Sequence, residues 1–283
     1  MVPTVVRPRT QSGHTPERPP AWKHRGLRRG VYLAITVVLV VVLFNSREGL
    51  ARFGSTFLDR QILAESLPPI LEGFWMNVRL FMVAEALVLV WGLVVALARS
   101  APGPEAAPLR WLAIGYLDLF RGLPALVTIY LIGFGLPLTG LPVFRNLSLF
   151  SLGVLALTLI YGAYVAEVYR AGIESVHWSQ TAAARSLGLS HRQTMRFVVI
   201  PQAVRRIIPP LLNDFICLQK DTTLVSLIGV LEGFNRARIF SGNRFNLSPV
   251  VGLGLCFVII TIPMARLTDR LIEADQRKMR AAG

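Results

Sequence analysis

Charge is scarce in this chain. Only 16% of its 283 residues are Asp, Glu, Lys or Arg, while 53% are hydrophobic and the mean hydropathy is +0.53. Soluble domains average about 25% charged residues, so a lipid bilayer is the expected solvent. Cysteine is scarcer still. Cys217 and Cys256 both lie in apolar runs, which leaves no disulfide framework, no Cys/His metal cluster and no sign of an oxidising compartment. The histidines, His14, His24, His177 and His191, avoid every apolar run and keep no metal-ligand spacing. No G-x-x-x-x-G-K-[ST] loop occurs, so the chain is not expected to bind ATP itself. The buried Ser/His or paired Asp of an intramembrane protease is missing, since Asp118 and Asp214 flank apolar runs singly. The alternation of a transmembrane β-barrel is missing, as is any repeat of fixed period. No catalytic residue, cofactor or metal is expected.

What is present is a series of long apolar runs. Crossing a bilayer as helix takes about 20 residues, and helix satisfies every backbone group internally. The chain therefore reads as an all-α membrane protein, a polytopic bundle of about six transmembrane helices. Residues 1–29 are polar, basic and Pro-rich and read as a disordered cytoplasmic tail. Residues 30–45 read as a retained N-terminal transmembrane helix rather than a signal peptide, because FNSREGLA offers no small-x-small cleavage site. Further spans are expected at 73–98, 111–136, 149–171, 207–231 and 247–267, with Pro68 and Pro69 as a breaker before the first of these and R-G-L-P at 121–124 interrupting the second. A transmembrane domain over 71–274 results, with a polar insert at 172–206.

The formal net charge of +14 would suit nucleic-acid binding, but its distribution points elsewhere. With the N-terminus inside, 20 of the 30 Lys/Arg fall in inside segments and 7 in outside segments. That bias follows the positive-inside rule and puts both termini in the cytoplasm, with some attraction to anionic lipid. No nucleic-acid partner is expected.

The insert carries the strongest local signals. Around 180–201 it reads Q-T-A-A-A-R-S-L-G-L-S-H-R-Q-T-M-R-F-V-V-I-P. The Ala-rich stretch 180–187 favours helix. Gly188 suits a left-handed stop, and Ser190 with Gln193 makes a capping box that opens a second helix. Pro201 is expected to limit that helix, because it disfavours α conformation at Ile200. Ala182, Ala183 and Ala184 give the first helix a shallow face that another protein can approach closely. On these features alone, an amphipathic hairpin lying on lipid headgroups and a DNA-reading helix-turn-helix remain alternatives.

From 164 to 232 the sequence is similar to the permease subunits of bacterial polar amino-acid ABC importers, the histidine/glutamine type of the binding-protein-dependent family. The resemblance rests on A-E-V-Y-R at 166–170, A-A-R-S-L-G-L at 183–189, P-Q-A-V-R at 201–205, P-P-L-L-N at 209–213 and K-D-T-T-L-V-S at 220–226. Upstream, L-F-R-G-L-P-A-L-V at 119–127 and L-E-G-F-W at 71–75 extend it. The family's cytoplasmic EAA loop corresponds to the insert, with Ala182 where the family has Glu and Ser179-Gln180-Thr181 at the lead-in. The resemblance implies a coupling loop of Ser179, Gln180, Thr181, Ala182, Ala183, Ala184, Gly188 and Pro201 that docks on a cytosolic ATPase dimer. It also implies a second permease subunit (a copy or a related chain), an extracytoplasmic substrate-binding protein and an amino-acid substrate. A membrane-anchored regulator and a secondary transporter are the alternative functions.

Polar residues at bilayer depth each need a reason, since a charge there costs about 2.5–3.5 kcal/mol on insertion scales. Lys220 would lie about 20 Å along a straight span that begins at 207, at 1.5 Å per residue. Lys220, Thr222, Thr223, Asn213, Glu85, Arg121 and Glu167 therefore either line a translocation path or lock helices together. Glu85 and Asp118 are the candidate partners of Lys220 under the locking reading, a choice the sequence does not make. Glu167 and Arg170, three apart, are expected to pair on one helix surface. Arg121 is expected to satisfy carbonyls freed at the R-G-L-P break.

Overall fold

The computed structural model describes residues 30–38, 40–42 and 47–281, and every regular element among them is helical. The chain divides into two compact units, Met1–Gly54 and Ser55–Gly283. In the first, residues 30–38 and 40–42 are helical. The tail 1–29 and the remaining parts of the expected 30–45 helix lie outside the described residues.

The second unit is built on two long helices, Arg60–Arg99 and Leu149–Glu174, packed along each other. Asp59 opens the first, its carboxylate accepting the N–H groups of Gln61 and Ile62 at 3.0 Å. The helix then runs straight through Pro68 and Pro69, where the sequence suggested a break. Each proline removes a backbone bond and costs about 3 kcal/mol in a helix interior. Packing offsets this. Ile70 and Phe74 on the following turns are buried against Ala237 and Leu253, and each such apolar side chain contributes about 1.5–3 kcal/mol on full burial. Tertiary burial therefore overrides the local signal.

The R-G-L-P break behaves as expected. Helices Ala107–Gly122 and Ala125–Leu138 meet at 108°. Pro124 disfavours α conformation at the residue before it, and here Leu123 is extended at φ −86, ψ 139. Ser148 caps the Leu149–Glu174 helix, whose buried face is rich in Gly and Ala and lets neighbouring backbones approach closely. Around it lies the main core, including Leu80, Val88, Leu157, Ile160, Leu218 and Val225.

After the insert comes the helix Ile200–Asp221, which passes into a 3-10 turn, Thr222–Ile228, and stops at Gly229 with φ +92. Helices Gly233–Arg244 and Ser248–Ala281 complete the unit. Among the described residues, three helices are able by length and composition to cross a membrane, or four if the bent pair counts as one span. The expected 207–231 span is not among them. Arg205, Arg206, Asn213, Asp214, Lys220 and Asp221 make the 200–221 helix too polar, and it ends ten residues early.

Candidate functional site

The insert forms a compact helical hairpin. His177 caps the helix Trp178–Ser186, its Nδ1 accepting the Ser179 N–H at 3.3 Å. The helix ends in a Schellman motif: the Gly188 N–H donates to the Arg185 carbonyl and the Leu189 N–H to the Ala184 carbonyl. That geometry needs the left-handed conformation, and Gly188 has φ +84. Ser190 and Gln193 form the expected capping box and start the next helix at His191. Ser179, Gln180, Ala182 and Ala183 face outward, Thr181 is half-buried and Ala184 is buried. Trp178 and Leu187 are 74% and 84% exposed. Sequence reading passed over these two apolar side chains, which stand out once the surrounding polar surface is seen.

Pro201 does not end the second helix. Residues Met195–Val199 form a π-helical turn, with the Ile200 N–H donating to the Met195 carbonyl, and the chain continues as helix through Asp221. Ile200 is helical at φ −59, ψ −45. In a regular α-helix the Pro201 ring would press on the carbonyl four residues back, at Phe197. The widened π turn relieves that clash and lets the helix pass. The insert is therefore welded to the 200–221 helix. It is also tied to the 149–174 helix, because the Arg206 guanidinium donates to the Ser175 carbonyl.

Glu167 is the hub of an ion cluster. Its Oε2 lies 2.6 Å from Nη1 of Arg99, at the end of the 60–99 helix, and its Oε1 accepts from Arg170. Arg170 also pairs with Glu174. The local Glu167–Arg170 pair is thus present, and Glu167 in addition joins two helices. Arg121 turns toward this cluster, with Nη1 3.9 Å from Glu167. Its ion contact is this carboxylate, and it makes no hydrogen bond to the carbonyls of the helix break among the described residues.

Two cavities open beside this cluster. One, of about 410 Å³, is lined by Arg121, Tyr164, Glu167, Arg206 and Asp214 among others. The other, of about 320 Å³, is lined by Tyr161, Tyr164, Asp214, Cys217, Lys220 and Asp221 among others. Tyr164 and Asp214 belong to both. Lys220 occupies the last turn of its helix and is exposed to the second cavity. It forms no ion pair among the described residues, so neither Glu85 nor Asp118 is its partner. Glu85 is half-buried on the 60–99 helix, Asp118 is exposed, and Asn213 is exposed and bridges no helices among the described residues. The locking reading of Lys220 fails because the helix ends at Asp221, which brings the ammonium out to the cavity instead of burying it at mid-span.

Helix locking falls to Thr222 and to residues the sequence did not single out. The fully buried Thr222 accepts from Asn77 Nδ2 at 3.0 Å. The same amide nitrogen donates to Glu232 at 2.8 Å, and Asn77 Oδ1 accepts the Gly233 N–H at 2.8 Å. Glu232 caps the Gly233–Arg244 helix through the N–H groups of Phe234 and Asn235. Burial raises the Glu232 carboxyl above its ordinary range, against the pull of these donors. Thr223 serves its own helix, donating to the Lys220 carbonyl.

The comparisons with known proteins agree with this architecture. Residues 89–281 match the family described as binding-protein-dependent transport system inner membrane component. The chain is 33% identical over 209 residues to the probable glutamine ABC transporter permease protein GlnM of Bacillus subtilis (strain 168), covering 74% of this chain and 94% of that protein. It is 30% identical over 219 residues to the glutamate/aspartate import permease protein GltK of Escherichia coli O157:H7, covering 75% and 96%. A solved amino acid ABC transporter with histidines superposes with a TM-score of 0.70 at 32% identity, over 77% of this chain and 99% of that one. The MetNI methionine ABC transporter, at 17% identity and a TM-score of 0.57, shares the fold. The chain belongs to the family of inner-membrane components of binding-protein-dependent transport systems.

Proposed function

We propose that this chain is the permease subunit of an ABC importer for polar amino acids, a transport component rather than an enzyme. A second permease subunit, identical or related, completes the translocation path. An extracytoplasmic binding protein delivers the substrate, and two cytosolic ATPases dock on the 178–186 helices of the permease pair. The exposed apolar side chains of the 60–99 helix, such as Met82, Val90 and Leu97, suit a lipid environment.

One observation carries the reading: a hairpin with exposed Trp178 and Leu187 projects from a membrane bundle and is continuous with the 200–221 helix. A rigid element fixed at both ends transmits a push from a docked protein into the spans and so biases a two-state bundle. The same continuity disfavours a DNA reader, because the second insert helix is the start of a membrane-packed helix and has no freedom to enter a groove. The test is co-expression with the ATPase subunit of an amino-acid ABC importer from the same organism. Trp178→Ala with Leu187→Ala should abolish co-purification of the ATPase and amino-acid uptake while leaving the permease folded. Retention of both would remove the docking role of the hairpin.

A further inference from the structure

The two cavities carry a charge pattern that bears on the substrate class, within the proposed amino-acid permease reading. At the end near Glu167, the cations Arg121 and Arg206 face the first cavity. Glu167 offsets Arg121 only in part, standing 3.9 Å from it while Arg99 and Arg170 hold its oxygens at shorter range. Arg206 is engaged by the neutral Ser175 carbonyl. At the shared wall stands Asp214, whose Oδ2 is buried with no hydrogen-bond partner among the described residues. A buried carboxylate oxygen without a donor is rare and calls for an explanation, and a ligand cation supplies one. Beyond it, Asp221 accepts from the Tyr161 hydroxyl at 2.7 Å, and Lys220 stands on the same wall.

The charged side chains that line the two adjoining cavities are Arg121, Arg206, Lys220, Glu167, Asp214 and Asp221, three of each sign. The signs are segregated, with donors in excess at one end and an unmet acceptor at the shared wall. We infer that these joined cavities bind an amino acid of zero net charge, its carboxylate on Arg121 and Arg206 and its ammonium on Asp214. A free α-carboxylate suits a guanidinium, which offers parallel donors in a fixed fork. A ligand with a net charge would leave one uncompensated charge inside a balanced, partly desolvated wall, which is penalised. Lys220 balances Asp221 and so sets the selectivity without touching the α-amino group.

The test uses the full chain with its ATPase in lipid nanodiscs and measures binding of radiolabelled glutamine, arginine and glutamate. Glutamine should bind at least tenfold more tightly than either charged amino acid. Arg121→Gln should weaken glutamine at least tenfold; the cluster should tolerate it, because Glu167 keeps Arg99 and Arg170. Asp214→Asn should do the same through the ammonium. Lys220→Gln leaves the wall one negative charge in excess and should move the preference toward arginine, a shift that a merely structural role would not produce. A tenfold preference of the unaltered complex for arginine or glutamate would overturn the inference. So would unchanged glutamine binding in both Arg121→Gln and Asp214→Asn, or no binding of any of the three to a complex that retains its ATPase. In that last case the permease reading stands, whereas failure of the ATPase to associate at all would remove the reading itself.

Discussion

A side chain on Gly172 would collide with Ile207: a Cβ built there overlaps Ile207 Cγ2. The two residues belong to the helices that enter and leave the insert, and this close approach sets their spacing. Gly172→Val forces the helices apart or drives Ile207 off its rotamer, at a cost of about 1–3 kcal/mol. The expected result is a lower melting temperature of the detergent-solubilised protein. Adding Ile207→Ala should recover much of the loss by making room. If the double variant melts no higher than Gly172→Val alone, the contact is not what spaces the helices.

The turn at Gly188 gives a prediction of the opposite kind. Its φ is +84, and a Cβ there meets nothing within 4 Å. Any penalty for substitution is therefore backbone strain, about 1–3 kcal/mol for a β-branched residue held in the left-handed region. Gly188→Val should re-aim the 178–186 helix, reduce ATPase co-purification and uptake severely, and leave the melting of the bundle unchanged. Gly188→Asn should be milder, since Asn visits this conformation more readily. Uptake at the unaltered level in Gly188→Val would contradict the role given to the turn.

These two glycines show what the sequence discloses and what it hides. Gly188, the Ser190–Gln193 box and the R-G-L-P break were legible because each acts within five residues of itself. Pro68, Pro69 and Pro201 were misread because their effect depends on packing and on a π turn, neither of which leaves a local signature. Lys220 was placed by counting along a straight span, and the helix instead ends one residue later, which changes its environment from buried to cavity-facing. Asn77 was invisible for a simpler reason: its partners Thr222 and Glu232 lie 145 and 155 residues away.

That distance makes Asn77 a test of how the Gly233–Arg244 helix is held. Asn77→Leu removes two donated bonds and one accepted bond in a buried setting. It strands the Gly233 N–H, and an unsatisfied buried group costs about 1–3 kcal/mol. Thr222→Val removes one accepted bond and one bond donated to the Gln219 carbonyl but keeps the volume and leaves the Gly233 N–H satisfied, so its effect should be smaller. The expected order of melting temperatures is the unaltered protein, then Thr222→Val, then Asn77→Leu. Hydrogen exchange should show faster opening of the 233–244 amides in Asn77→Leu. Equal protection of those amides in the two variants would show that the helix is held by its apolar contacts alone.

Orientation in the membrane is the remaining prediction, and it follows from charge. Lys and Arg near the ends of spans are retained in the cytoplasm, and 20 of the 30 lie in segments that share one side when the N-terminus is inside. The hairpin at 178–194 belongs to that side and the Gly233–Arg244 helix to the other, which requires the polar 200–221 helix with its 3-10 continuation to Ile228 to cross between them packed against the 149–174 and 248–281 helices, since it is too polar to cross facing lipid. Both offer exposed positions for a probe, Gln180 on the hairpin and Asn243 on the outer helix. In a background with Cys217 and Cys256 replaced by Ser, Asn243→Cys should react with a membrane-impermeant maleimide in intact cells. Gln180→Cys should react only after permeabilisation, as should a cysteine added at the C-terminus. Labelling of Gln180→Cys from outside would put the hairpin on the wrong side of the membrane for an ATPase that lives in the cytosol, and the proposed coupling would fail with it.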